Sequence, residues 1–257
     1  MKKEDISIQL YTARKFQPYD EILKFFSNSG LSNIELFGVE KFDEIKMKDL
    51  LQKYNLSSLS SHVSFSGIQE YETILKLKKL NIKHAIVPSP SIPSGKSWED
   101  NFKKNEQEWN QFGKALGAYV KIYEDHGLTL GYHNHAFEFK KLPSGKMPIE
   151  CILDNNENLK FEIDLGWVVA SKQDPIIWIK KYANKIIACH LKDFYSKNKN
   201  LQDHKEQSPI GDGFIDWSTI IPEVKKTNCE LYVIEHDDPI SYKEYTKKSI
   251  INLERIN

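Results

Sequence analysis

Four side chains in the second half of the chain are of types that hold metal ions: His133, Asp164, His190 and Glu235. Two imidazoles, an aspartate and a glutamate make a mixed nitrogen and oxygen donor set. Such a set suits Mn, Co, Zn, Fe or Ni better than Ca, and Mg stays open. Two residues beyond three of them come His135, Lys192 and Asp237, groups able to hydrogen-bond hydroxyls or move protons. Taken singly, each has an ordinary explanation: a strand-end histidine satisfied by a hydrogen bond, an aspartate turning before glycine, a glutamate paired with Lys192. The chemistry depends on whether the fold gathers them.

Short runs rich in β-branched residues recur along the chain at 6–12, 33–37, 56–64, 84–90, 128–135, 159–168, 186–194 and 230–238. Helix-compatible segments lie between them. Residues 19–30 carry apolar side chains at helical spacing and stop at Gly30, and 97–127 predicts the longest helix, closed by Gly127. Asp174 and Asp216 are N-cap candidates for two more, with Pro222 expected to bend or break the second. Eight strand–helix units in 257 residues predict an α/β fold, a (β/α)8 TIM barrel forming one domain over 1–257. A doubly wound open sheet is the competitor, but no GxGxxG follows the first strand. Long loops after the fourth strand (PSPSIPSGKSWED) and the seventh (195–217) fall where barrels carry substrate lids.

Alternate residues of a strand face opposite ways. Phe161, Ile163 and Leu165 are apolar and share one parity, which turns Glu162 and Asp164 inward. The same reading points His133, His135, His190, Lys192, Glu235 and Asp237 into the barrel. Four consecutive strands thus aim an ionisable residue into one mouth, where a lone carboxylate is costly unless paired or metal-bound. On the other half Glu35 and His62 also point inward, with His62 placed to contact substrate or to end a polar strand. Trp167 offers an apolar wall for a sugar face or packs in the core. Glu138 either folds back over the site or lies at the surface.

Charge narrows the partners. The 36 Lys+Arg balance 36 Asp+Glu, and only Arg14 and Arg255 are arginines. Without a basic field or arginine forks, nucleic acid is not an expected partner. No apolar run approaches the roughly 20 residues of a membrane-spanning helix. MKKEDISIQLYT lacks the apolar stretch of a secretory signal. Cys151, Cys189 and Cys229 are odd in number and scattered, as small buried side chains in a reducing compartment would be. A cytoplasmic setting is expected.

The segments YHNHAFEF, EIDLGWV, HLKDF, IGDGFIDW and YVIEHDDP, in this order, resemble the xylose-isomerase-like TIM barrels known as sugar phosphate isomerase/epimerases. The likeness runs from ISIQLYT to the last strand. It implies one divalent ion at the ends of the fifth to eighth strands, with Asp164, His190 and Glu235 at three ligand positions. At the fourth, where many members have Glu followed by Asn-His, this chain has His133-Asn134-His135. Family epimerases use two carboxylates as acid/base partners across a metal-bound cis-enediolate, and one of the two is replaced here. The Tyr-His-x-His turn, HLKD and the GDG loop look more like the inosose dehydratase branch.

The resemblance therefore implies a metal-dependent enzyme of carbohydrate metabolism with a small sugar or keto-sugar substrate. It would be an isomerase or epimerase working through a metal-stabilised enediolate. Glu235 would be ligand and base, and Lys192, His135 or Glu138 would act as acid or steer oxygens. His62, Glu35, Trp167 and Asp237 would touch the substrate. Expelling a β-hydroxyl instead would make it an inosose-dehydratase-like lyase on a keto-sugar or keto-inositol. A non-catalytic sugar-binding barrel is the alternative of another class. Endonuclease IV-type DNA repair fits poorly, because Trp167 stands where those enzymes carry a ligand histidine. Phosphate-free sugars are favoured without arginine clamps, although the amides of Gly211 and Gly213 could hold a phosphate. Relatives are often dimers or tetramers, which leaves a homo-oligomer open.

Overall fold

A computed structural model describes residues 3–90, 97–201 and 203–256. Among these, eight short parallel strands close into a barrel: β1 (Ile6–Gln9), β2 (Asn33–Phe37), β3 (Ser60–His62), β4 (His84–Val87), β5 (Thr129–His133), β6 (Lys160–Asp164), β7 (Ile186–Leu191) and β10 (Leu231–Ile234). Between β7 and β10 the chain adds a two-stranded antiparallel ribbon, β8 (Asp193–Phe194) with β9 (Gln207–Ser208). Each barrel strand pairs with the next, and β10 returns to β1 with Ile234 opposite Ile8. The chain thus forms the expected (β/α)8 barrel.

Strand parity sets what lies inside and outside. Ile8, Ile34, Leu130, Phe161, Ile163 and Leu191 are buried in one continuous core with the helices. Removing each such side chain from water contributes on the order of 1.5–3 kcal/mol. A separate small cluster, Ala188, Leu231 and Val233 with Leu59 against it, plugs the barrel beneath its mouth.

Several expected elements come out differently. The predicted helix over 97–127 is a 3-10 segment Trp98–Lys103 followed by helices Glu106–Gly117 and Val120–Asp125. Asn105 starts the second piece: its side chain accepts from the Glu108 amide at 3.0 Å, while Glu108 accepts from the Asn105 amide at 2.7 Å. That reciprocal cap nucleates a new helix rather than prolonging an old one. Pro222 lies inside helix Trp217–Val224, which continues only two residues past it. The longest helix is Tyr242–Ile256, at the C-terminal end of the described chain. No helix among the described residues is long and apolar enough to cross a membrane. Cys151, Cys189 and Cys229 are free thiols.

Of the loop after β4, residues 91–96 lie outside the described residues. The loop after β7 is braced by Asp193. One carboxylate oxygen accepts from the Gly211 amide and the Trp217 indole, both at 2.9 Å, and the other accepts from the Ile215 amide at 3.2 Å. Gly211 has φ +83°, and a Cβ on Gly213 would collide with Asp193 Oδ1. The Gly211 amide is thus engaged by Asp193 rather than open to an anion, and GDG is a turn leading into the Asp216-capped helix.

Candidate active site

The ends of β5, β6, β7 and β10 bring His133, Asp164, His190 and Glu235 together. One donor atom from each lies within 4.8 Å of the others, and all four residues are buried. Register explains this: Asp164 pairs with His190, and His190 pairs with Val233, two residues before Glu235. Glu235 stands one residue past β10, where its amide still bonds Leu191 O at 3.2 Å and its carbonyl accepts from the Tyr245 hydroxyl at 2.7 Å.

Asp164 has two tasks. Its Oδ1 accepts from the Trp167 amide at 2.8 Å and caps helix Leu165–Ala170. Its Oδ2 is buried and has no hydrogen-bond partner among the described residues; Lys192 Nζ is 3.6 Å away. Asn134, one residue past β5, clamps the same residue, accepting from its amide at 3.0 Å and donating to its carbonyl at 3.2 Å. The turn-residue explanation for Asp164 is thus met by Oδ1, and Oδ2 stays available to another partner.

One layer deeper, Glu162 Oε2 lies 2.7 Å from His62 Nε2, 3.0 Å from His133 Nδ1 and 3.2 Å from His190 Nε2. Glu35 Oε1 is 2.8 Å from His190 Nε2 and accepts from Gln9 Nε2 at 2.6 Å, while Ser60 donates to its other oxygen. Glu35, expected at the substrate, is instead fully buried beneath the histidines. Inward parity tells which face a residue takes, not how deep it sits.

On the other rim, Lys192 Nζ is 2.5 Å from Asp237 Oδ2 and 3.0 Å from Glu235 Oε2, and stands 4.8 Å over the Trp167 ring. The β9 residue Gln207 accepts from the Asp237 amide at 2.8 Å, so the ribbon positions Asp237. Two cavity lobes of about 650 and 470 Å³ share Tyr11, His135 and Asp237 as lining. Trp167, Phe137 and His204 line the larger, and His62, His133 and Glu235 the smaller. Trp167 is thus both packed and at the cavity wall. Glu138 lines neither lobe and is not at the surface. It is buried, accepting from the Tyr132 hydroxyl at 2.7 Å and the His135 amide at 2.8 Å, where it holds the turn that presents His135.

Residues 19–255 match the family model for the xylose isomerase-like TIM barrel. The chain belongs to that family. It is 26% identical over 173 residues to the inosose dehydratase of Clostridium perfringens (strain 13 / Type A), covering 60% of this chain and 57% of that protein. The match thus spans little more than half of that relative's length. Among solved structures, a sugar phosphate isomerase/epimerase from Parabacteroides distasonis ATCC 8503 superposes with a TM-score of 0.78 at 21% identity, covering 99% of this chain and 94% of the other. The IOLI protein, with a bound zinc atom, gives 0.72 at 14% identity, covering 98% and 97%. These likenesses show a shared fold.

Within this xylose isomerase-like barrel the mouth packs buried carboxylates against histidines and the ammonium of Lys192. Burial pushes Asp164 up to about 7 against the opposing pull of Lys192 and His190. Burial and the charge of Glu162 push Glu35 to about 7 as well. Glu162 and Glu235 are held well below the usual carboxylate range. Burial opposes this, but His190 and His62 outweigh it for Glu162, and Lys192 and His190 for Glu235. Burial and the neighbouring His190 keep His133 neutral, the form that ligates metals. Burial and Lys192 push His135 down to about 4.

Glu138 gives a stability prediction. Burial lifts its carboxyl from 4.5 to about 8, against the two hydrogen bonds it accepts. The folded chain then binds more protons than the unfolded chain across that window. Its contribution is full below 4.5 and is lost as pH rises through about 8, amounting to roughly 5 kcal/mol. Denaturant titrations at several pH values should show wild type losing stability relative to Glu138→Gln between these limits. Parallel curves would mean that Glu138 titrates normally.

Proposed function

We propose that the protein is a divalent-metal-dependent isomerase or epimerase that removes a proton from the carbon beside the carbonyl of a sugar or keto-sugar. The convergence of His133, Asp164, His190 and Glu235, with a buried Asp164 oxygen left without a hydrogen bond, carries this reading. The set fits a divalent ion. Asp164, Glu235 and Asp237 surround Lys192, and Glu35, Glu162 and Glu235 surround His62 and His190; a divalent ion ligated by neutral imidazoles would take over the positive charge that the histidines supply to these carboxylates in its absence. Bound there, the ion would polarise the carbonyl and stabilise the charge that develops on its oxygen. The zinc atom of the IOLI neighbour supports the same expectation.

The remaining work belongs to the chain itself. Glu235, ionised and lining the cavity, takes the proton. Lys192 lies 3.0 Å from that carboxylate and is anchored by Asp237, so its ammonium can protonate a substrate oxygen. His135, neutral and facing both lobes, orients a hydroxyl, and His62 does so from the opposite wall. Trp167 offers its ring to the apolar face of a sugar.

A second reading, a dehydratase acting on a keto-sugar or keto-inositol, is favoured by one arrangement. The acid Lys192 lies beside the base Glu235, as expulsion of a neighbouring hydroxyl requires, whereas a histidine occupies the place of the second epimerase carboxylate. The inosose dehydratase relative supports it. Protein loaded with Mn²⁺ or Co²⁺ and incubated with ketohexoses and inososes in D₂O should exchange the α-proton, read by ¹H NMR. An inverted centre identifies an epimerase, a moved carbonyl an isomerase, and a new enone or dione absorbance a dehydratase. Sugar binding without exchange would favour a binding barrel and contradict the proposal.

A further inference from the structure

A carboxylate accepts hydrogen bonds and cannot donate them. Glu162 Oε2 faces His62 Nε2, His133 Nδ1 and His190 Nε2 at 2.7, 3.0 and 3.2 Å, so these are the nitrogens that carry protons. His133 is then the Nδ1–H tautomer, with its lone pair on Nε2. His190 faces carboxylates from both nitrogens, Nε2 toward Glu162 and toward Glu35 Oε1 at 2.8 Å and Nδ1 toward Glu235 Oε2 at 3.0 Å, so both carry protons here; Nδ1, on the candidate ion's side, is the one that would release its proton to let an ion bind. Gln9 and Ser60 hold Glu35 in turn. Glu35, Glu162 and His190 are fully buried, and His133 nearly so, so water does not compete for these contacts.

We propose that Glu162, backed by Glu35, is a positioning residue that keeps a proton on the far ring nitrogen of each of the two candidate ligand histidines and so sets the affinity of the mouth for a divalent ion. The proposal rests on the metal reading above. It explains how His133 can stand in for a glutamate. A neutral imidazole brings one negative charge less to an ion, and a hydrogen bond from its far nitrogen to a carboxylate makes it a stronger ligand. The same lower group, His62, His133, Glu162 and His190, also has donor atoms within 4.8 Å of one another. An ion there would need lone pairs on the very nitrogens that the carboxylate requires protonated, so a second ion and this cradle exclude each other.

The test uses the full chain as wild type, Glu162→Gln and Glu35→Gln, stripped with chelator and titrated with Co²⁺. Visible absorption and metal per chain are followed, beside long-range ¹⁵N-histidine NMR of the wild type. One ion per chain is expected, bound about 10–100-fold more weakly by Glu162→Gln and less affected in Glu35→Gln. Glu162→Asp, which restores the carboxylate, should recover part of the loss. The NMR should place the ring proton on His133 Nδ1 and keep one on His190 Nε2. Two ions per chain, a Glu162→Gln affinity within threefold of wild type, or a proton on His133 Nε2 would overturn the proposal. A wild type that binds no ion would refute the metal reading, and the His133 ring proton in the ion-free protein would still decide the tautomer.

Discussion

Glu235→Gln is expected to lower kcat/KM by about a thousandfold or more. The substitution keeps the shape of the side chain and leaves the backbone contact from Tyr245 to the Glu235 carbonyl untouched, so the barrel should fold. It removes the only carboxylate that both belongs to the four-donor cluster and lines the cavity. It also removes the negative charge opposite Lys192 and His190, so metal content should fall together with turnover. Kinetics with a substrate identified by exchange, alongside metal content, check this. Activity within tenfold of wild type at full metal loading would take Glu235 out of the mechanism.

Lys192→Met is expected to have the largest effect on stability. The ammonium is fully buried between Asp237, Glu235 and Asp164, and these neighbours, opposing the cost of burial, keep it charged well into the alkaline range. Methionine fills similar space but leaves the carboxylates unpaired. Breaking a buried pair in this way costs about 3–5 kcal/mol. A divalent ion at the mouth would replace part of the missing charge, so the loss should be larger in chelator-treated protein than in metal-loaded protein. Thermal melts in both states read this difference. An unchanged Tm in both would show that Lys192 does not balance these charges, and kcat/KM within threefold of wild type would make its role structural.

How far the site was legible depended on where each residue sits relative to a strand. His133, Asp164 and His190 lie within strands, where the two-residue period dictates direction, and Glu235 lies only one residue beyond. Glu138 follows a turn and a 3-10 segment, Phe137–Phe139, where that period no longer applies, and it turned away from the mouth. Glu35 and Glu162 have the right parity but sit deeper, and depth follows from inter-strand stagger that no single strand encodes. Asn134 and Gln207 act through backbone contacts across elements distant in sequence, which leave no local pattern. The barrel itself was legible because eight apolar strand faces each needed helical cover. The long helix over 97–127 was misread because Asn105 with Glu108 can serve equally as surface polar residues or as a cap.

The central claim is that one divalent ion belongs to the four strand-end donors. Metal analysis of purified, reconstituted wild type beside His133→Ala and Glu235→Ala tests it most directly. The account predicts close to one equivalent of Mn, Co, Zn, Fe, Ni or Mg per wild-type chain, reduced in both variants. Absence of metal from folded, reconstituted wild type, or full occupancy in both variants, would contradict it.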